Sequence, residues 1–276
     1  MPLKGTNQMR KAFICLLLFN FSLAVFAKDE AKQPIPSSLQ FNYKLFLKVD
    51  LKKREKILKA NGEEPSIFDK ALTLVSGDIH AANVVDTVEK KQGTLKITSI
   101  MSPTTLISYA VGDKAYRRES LSEWDKNAFR PNLYSEKRGD SVRTTSSFDY
   151  KKMNIEFFTG KKLERTEKIN GEIADMLTIV YENLSNIKKN KSFFINNSKT
   201  NKPINFDEAE LWDFTVNGKK YKAKRYSKKV NKIDAATFDI WLDEETKIPL
   251  RYQIGLNDNY GVTMLFELDS VKKLSD

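Results

Sequence analysis

The 276-residue chain contains one cysteine and one histidine. Cys15 lies near the N-terminus, in a segment that we predict to be removed on export, so the mature chain has no thiol. This scarcity excludes disulfides, Cys-ligated zinc, iron–sulfur clusters and sites built from several histidines. We therefore predict that the protein binds no metal and no cofactor.

The common catalytic motifs are also absent. No G-x-S-x-G nucleophile motif occurs, and the 11 glycines are scattered singly instead of forming a phosphate-binding loop. The acidic group Asp243-Glu244-Glu245 falls on a predicted turn, where solvent would surround it. His80 could form a general base with Asp78 and Asp86, which strand alternation places on the same face, but a structural role is favoured. We predict no catalytic residues and no enzymatic activity.

The sequence contains one long apolar run, from Ala12 to Ala24. Lys4, Arg10 and Lys11 precede it, and small residues end it at Ala27, which is the pattern of a secretory signal peptide. We predict that residues 1–27 are the signal, that cleavage follows Ala27 and that the protein is periplasmic. An uncleaved membrane anchor is the alternative, although the run is short for a span of about 20 residues.

Most of the remaining chain alternates between apolar and polar residues with a period of two, as strands do. Residues 28–66 form a flexible leader, a strong amphipathic strand at Phe41–Leu51 and a short helix at Lys52–Ala60. Residues 67–276 form an antiparallel β domain, with further short strands from Phe68 to Phe158. Asn217-Gly218 predicts a type I′ hairpin.

The stretch Ala236–Leu268 predicts a three-strand meander around which the sheet is organised. One segment departs from the strand pattern, because Glu172–Lys188 carries apolar residues at three- and four-residue spacing. The predicted fold is mainly β: a curved antiparallel sheet, as a roll or half-barrel, covered by one amphipathic helix. Trp241 lies opposite the apolar face of its strand, so it either lines a cavity or contacts that helix.

Three segments resemble those of a known family. The sequence W-L-D-E-E-T-K-I-P-L-R at 241–251, with R-R-E-S-L at 117–121 and F-R-P-N-L-Y-S-E-K-R-G-D at 129–140, is similar to the exported bacterial proteins grouped as domain of unknown function 3108. The resemblance covers roughly residue 68 to the C-terminus. It implies an envelope location and a mainly antiparallel sheet, and it implies no established activity.

The excess positive charge is concentrated in one segment that contains no acid. Its eight cations are Lys219, Lys220, Lys222, Lys224, Arg225, Lys228, Lys229 and Lys232. This patch could contact anionic headgroups or acidic envelope polymers. The alternative, which is favoured, is a solvated strand face whose lysines prevent pairing with other chains.

These observations favour a non-catalytic periplasmic protein of the cell envelope that binds a lipid or another hydrophobic or anionic envelope component. A structural or assembly factor that acts by surface contacts is the alternative, and an envelope glycan hydrolase ranks last. Nucleic acid is not an expected partner, and no transmembrane body is expected after signal cleavage.

Overall fold

The computed structural model describes residues 38–65, 78–125, 128–181, 193–206, 210–228, 237–256 and 261–275. The predicted signal, most of the leader and the predicted strand Phe68–Val75 lie outside these ranges. Strands account for 67% of the residues and helices for 11%, so the prediction of a mainly β fold is confirmed. Within the described ranges, no helix has the length and hydropathy needed to span a membrane.

The strands and helices are numbered in chain order. The strands are β1 (Ser38–Val49), β2 (Ile79–Lys91), β3 (Thr94–Pro103), β4 (Tyr116–Asp125), β5 (Ala128–Arg138), β6 (Ser141–Asp149), β7 (Asn154–Thr159), β8 (Lys162–Lys168), β9 (Ile173–Asp175), β10 (Phe193–Asn196), β11 (Asn201–Ile204), β12 (Glu210–Val216), β13 (Lys219–Ser227), β14 (Phe238–Asp243), β15 (Pro249–Leu256) and β16 (Val262–Ser275). The helices are α1 (Leu51–Asn61), α2 (Thr105–Val111) and α3 (Thr178–Tyr181).

Thirteen strands form one open antiparallel sheet in the order β12-β13-β14-β15-β16-β1-β2-β3-β4-β5-β6-β7-β8. The predicted meander is present as β14, β15 and β16, each paired with the next. The predicted hairpin is present as β12 and β13, and Asn217 and Gly218 both have the positive φ of a type I′ turn, 48° and 79°. β1 joins the two parts of the sheet because it lies between β16 and β2.

The large sheet curls around its buried face. Tyr252 on β15 and Arg118 on β4 are separated by five strand-to-strand steps, or about 24 Å across a flat sheet. Their side chains nevertheless interact. The sheet must therefore bend strongly, as predicted, and we call the enclosed side the inner face.

The predicted helix Glu172–Lys188 is shorter than expected. Ile173–Asp175 is instead strand β9, which pairs in parallel with β10, and only Thr178–Tyr181 is helical among the described residues of this stretch. The cause is Asp175, whose Oδ1 accepts hydrogen bonds of 2.8 Å from the backbone N–H groups of Leu177 and Thr178. A side chain that caps a helix in this way fixes where the helix begins.

Gly261 holds the turn before β16 against the start of α1. Its φ is +59°, and an added Cβ would lie 3.1 Å from the backbone O of Asp50 and from the backbone N of Arg54. Since backbone atoms cannot move aside, we expect Gly261→Ala to lower the free energy of unfolding by about 1–3 kcal/mol in urea titrations. Gly93→Ala is the control, because Gly93 has φ +82° and open space around it. Equal losses in the two variants would contradict a steric cause at Gly261.

Candidate functional site

One part of the inner face, across β14, β15, β16 and β1, is apolar. Strands β14, β15, β16 and β1 contribute buried residues to it, and we call this surface the apolar half: Phe41, Tyr43, Leu45, Phe238, Ile240, Leu242, Leu250, Tyr252, Phe266 and Leu268. Tyr252 stacks on Phe266 at 4.2 Å between ring centroids and meets Tyr43 edge-on at 5.4 Å. Aromatic and aliphatic side chains of this size give the apolar half most of its stabilising contact area.

In the other part of the sheet, across β2 to β6, the inner face carries a row of polar residues among buried apolar ones that include Val84, Val88, Leu95, Ile97 and Phe148. Cross-strand register aligns Asp86 with Ser99 and Ser99 with Arg118, so the three form one row across β2, β3 and β4. The row continues to Glu136 and Thr144 on β5 and β6. We call this row and its buried neighbours the polar half; the neighbours are Ser120, Ser122, Tyr134 and Ser146.

Asp86 is fully buried at the boundary between the two halves. Its Oδ2 accepts a hydrogen bond of 2.6 Å from the hydroxyl of Tyr181. Burial raises the pKa of Asp86, and the effect is only partly offset by Ser99, Tyr181 and the charge of Arg118. This carboxyl group is therefore held closer to its neutral form than an exposed aspartate would be.

Arg118 is a buried cation, with only 5% of the residue exposed. Burial lowers its pKa, but Tyr134, Tyr252 and Asp86 outweigh that effect and raise it, so the guanidinium stays charged. Its Nε and Nη2 atoms have no hydrogen-bond partner among the described residues. A buried donor without a partner costs about 1–3 kcal/mol, and more when it is charged. The polar half therefore contains a charged group whose hydrogen-bonding capacity is incompletely used.

The inner face is covered by a segment that comprises residues 173–181 and 193–204, which we call the inner segment. Asp175 Oδ2 accepts hydrogen bonds from Ser120 Oγ at 2.5 Å and from Thr178 Oγ1 at 2.8 Å, and Ser198 Oγ lies 2.7 Å from Thr144 Oγ1. These contacts tie the inner segment to the polar half. The prediction that this part of the chain covers the sheet is confirmed, although it does so largely without a helix.

The inner segment also packs on the apolar half. Tyr181 lies 5.1 Å from Phe41 between ring centroids, and Leu177, Ile179 and Val180 are buried. The segment thus presents apolar side chains to the apolar half and hydroxyl and carboxyl groups to the polar half. In this arrangement it matches the inner face as an amphiphilic ligand would.

Two buried carboxyl groups should make stability depend on pH. Burial raises the pKa of both Asp86 and Asp175, so the folded protein holds protons that the unfolded chain releases above about pH 4. We expect the free energy of unfolding to fall as pH rises from that value through the raised pKa values. Urea titrations between pH 4 and 8 should show a smaller fall for Asp86→Asn. Asp78→Asn, at an exposed residue paired with Lys48, should keep the full fall.

The prediction that His80 shares a face with Asp86 is wrong. A register irregularity between β1 and β2 pairs Phe46 with His80 and Leu45 with Ala82, so the alternation shifts between His80 and Asp86. Asp86 faces inward, whereas His80 lies against the ring of Phe46 at 5.4 Å. Asp78 instead pairs with Lys48. Strand alternation assigned the three residues to one face, because it assumes an unbroken period of two and cannot reveal a β-bulge.

Trp241 lies on the outer face and neither lines an inner cavity nor meets the helix. It contacts Trp212 and Phe214 of β12 at 6.1 and 6.2 Å between ring centroids. Arg225 and Arg251 lie over its ring at 5.3 and 5.7 Å, and both also stack on the β12 aromatics. The outer face thus carries a ladder of alternating cations and aromatic rings.

The predicted basic patch is divided by strand alternation. Lys220, Lys222 and Lys224 lie on one face of β13, whereas Lys219 and Arg225 lie on the other. Two members are paired with acids: Lys224 lies 2.9 Å from Glu244, and Arg225 lies 3.1 Å from Asp239. Lys228 bridges to Phe206, and Lys229 and Lys232 lie outside the described residues. Anion binding by this patch stays a prediction.

Sequence reasoning did not identify the polar half. It considered Asp86 only as a neighbour of His80 and did not single out Arg118 or Asp175. A signal was available in β4, where Arg118, Ser120 and Ser122 occupy three successive positions on one face of the strand, so that the middle of this face is polar. Only the register across β2, β3 and β4 shows that this face is buried.

Comparisons with known proteins add little to this picture. No family model and no curated protein matches the chain. Among solved structures, the chain is similar to a domain from Vibrio parahaemolyticus named for outer membrane lipoprotein sorting, at 9% identity and a TM-score of 0.27, covering 88% of this chain and 87% of that domain. A likeness at that TM-score carries no argument about function. In the described part of the chain, no group of three or more His, Cys, Asp or Glu could hold a metal ion.

Proposed function

We propose that the protein is a non-catalytic, exported component of the cell envelope that binds a lipid along its inner face. The observation that supports this proposal is the division of one buried surface into an apolar half and a polar half with a buried, incompletely paired Arg118. A purely structural core would gain stability from apolar residues at these positions. An amphiphilic ligand needs both halves.

The inner segment occupies this surface in the described state. Its attachment to the polar half consists of a few hydrogen bonds, led by Asp175–Ser120 and Ser198–Thr144. Lipid would replace it, with acyl chains on the apolar half and the head group on the polar half. Export through a signal peptide cleaved after Ala27 and a periplasmic location belong to the same proposal, because the N-terminal sequence supports both.

The test is native mass spectrometry and organic extraction of the mature protein purified from its own envelope. We expect about one lipid per chain. Ile254→Lys should reduce lipid binding by about tenfold or more, because Ile254 is a partly buried residue that pairs with Phe238 and packs against the apolar half, so the lysine places a charge beside that surface. Gln253→Lys, one residue away on the opposite face of β15, is the matched control and should bind lipid normally. A protein that is empty and takes up no lipid from vesicles would overturn the proposal.

A structural or assembly role is the second candidate, and the two edges of the sheet favour it. Edge strand β8 alternates Lys162, Glu164, Arg165 and Glu167, which protects an edge from pairing with other chains. Edge strand β12 exposes two large apolar residues, Leu211 and Trp212, at 65% and 41%, whereas β8 exposes one, Leu163, among its charged residues. An apolar, accessible edge is suited to pairing with a strand of a partner protein.

This second role makes a separate prediction. Leu211→Lys should weaken capture of any partner that pairs with β12 by about tenfold, because an inserted charge discourages edge pairing. Leu163→Lys on β8 is the matched control, since Leu163 is also an exposed leucine on an edge strand. Affinity purification from the envelope with each variant measures the effect. Identical partners for all three proteins would remove the support for this role.

A further inference from the structure

Four of the twelve buried side-chain atoms that lack hydrogen-bond partners among the described residues lie together in one row of the polar half. Arg118 Nε and Nη2, Asp86 Oδ1 and Ser99 Oγ have no partner with hydrogen-bond geometry among the described residues, although Ser99 lies close enough to Asp86 to lower the pKa of its carboxyl group. The three residues are directly aligned across β2, β3 and β4. Buried polar atoms are nearly always hydrogen-bonded in native proteins, so a row of exceptions calls for a molecule that satisfies them.

The row offers opposite chemistry at its two ends. Arg118 supplies two charged N–H donors, which suit phosphate or carboxylate oxygens. Asp86 supplies a free carboxyl oxygen, which suits an N–H donor that carries positive charge. Ser99 lies between them and can donate or accept. A simple anion would satisfy Arg118 and leave Asp86 Oδ1 without a partner.

We propose that the row Asp86–Ser99–Arg118 binds a zwitterionic head group, with a phosphate on Arg118 and a primary ammonium on Asp86. This inference rests on the proposed function, because the head group is the polar end of the lipid bound there. The two residues are two strand steps apart, about 10 Å between backbones, and the charge of Arg118 lowers the pKa of Asp86, so the two side chains lie within electrostatic reach of each other. A phosphate joined to an ammonium by a two-carbon linker is short enough to contact both. A quaternary ammonium has no N–H to donate and fits less well.

The test is competition between lipids with identical acyl chains and different head groups. The mature protein is mixed with equal amounts of phosphatidylethanolamine, phosphatidylcholine, phosphatidylglycerol and diacylglycerol, and bound lipid is counted by native mass spectrometry. We expect phosphatidylethanolamine to be retained about tenfold over the other three. Retention of diacylglycerol or phosphatidylglycerol at the same level overturns the head-group assignment and leaves the proposed function standing. Binding of none of the four overturns the proposed function.

Two variants separate the ends of the row. Asp86→Asn should remove the preference for ethanolamine over glycerol head groups and keep the preference for phosphate over diacylglycerol. Arg118→Lys keeps the charge but loses the planar set of donors, so it should weaken the phosphate preference. Asp269→Asn is the control, because Asp269 forms a half-exposed pair with Lys44 away from the row. Thermal unfolding of each variant confirms that it is folded before lipid is added, and unchanged preferences in both folded variants would overturn the inference.

Competition with free glycerophosphoethanolamine shows whether the row binds an intact lipid or a soluble head group. The soluble compound should compete poorly, because most of the affinity comes from acyl chains on the apolar half. If it competes as well as the intact lipid, the head-group site is supported and the proposed lipid function is overturned. If water alone fills the row, no head group is preferred and the inference fails.

Discussion

Replacing Arg118 with methionine is expected to lower the free energy of unfolding by about 3–5 kcal/mol at pH 8. The substitution leaves Asp86 fully buried without the cation that favours its charged form. The carboxyl group of Asp86 must then either stay ionised while buried or take up a proton. Protonation costs more free energy as pH rises. The loss measured in urea titrations should therefore be smaller at pH 5 than at pH 8.

The double variant Asp86→Asn/Arg118→Met tests whether the charges are the cause. It removes both charges and both desolvation costs, so it should be more stable than Arg118→Met alone. We expect a coupling energy of about 1–3 kcal/mol between the two positions. If the loss in the double variant equals the sum of the losses in the two single variants, Arg118 stabilises the fold through packing only. The charges of the row would then have no role in stability.

The expected outcome bears on function as well as on stability. If neutral residues are tolerated in the double variant, the fold does not require the charges of Asp86 and Arg118. Residues that reduce stability and yet occupy the centre of a sheet are expected at sites where a ligand binds. Lipid binding by the double variant, measured as described above, then separates a requirement for folding from a requirement for the ligand.

The strands and turns could be predicted because they depend on local pattern. Alternation identified β1 and the meander β14 to β16, and Asn217-Gly218 identified the hairpin, since only a few residues adopt positive φ without strain. The short helix predicted at Lys52–Ala60 is present at Leu51–Asn61, with Asp50 accepting a hydrogen bond from Lys53 N as its cap. Each of these features is encoded within a few neighbouring residues.

The candidate site could not be predicted because it depends on register between distant strands. Arg118 meets Ser99 and Asp86 only through the pairing of three strands, and it meets Tyr252 only because the sheet curls. The face assigned to His80 was wrong for a related reason: one irregularity between β1 and β2 shifts the alternation. The extent of the predicted helix at Glu172–Lys188 failed because Asp175 could cap a helix as well as lie within one.

A disulfide between positions 144 and 198 is expected to reduce lipid uptake by about tenfold or more, and the effect should be reversible. Thr144 Oγ1 and Ser198 Oγ are 2.7 Å apart, so Thr144→Cys/Ser198→Cys places two sulfur atoms where a small adjustment allows a bond of about 2.05 Å. The predicted mature chain contains no other cysteine, so only this pair can form. The bond ties the inner segment to β6 and prevents lipid from replacing it.

Lipid uptake is measured by transfer of a fluorescent lipid from vesicles, before and after reduction. We expect the oxidised double variant to take up lipid at about one tenth of the rate of the reduced protein, or more slowly still, because the state that binds lipid is no longer accessible. Reduction of the disulfide should restore uptake. Thr144→Cys and Ser198→Cys alone are the matched controls and should respond to neither treatment. Full uptake by the oxidised protein would show that the inner segment stays in place when lipid binds, and the proposed exchange between segment and ligand would have to be abandoned.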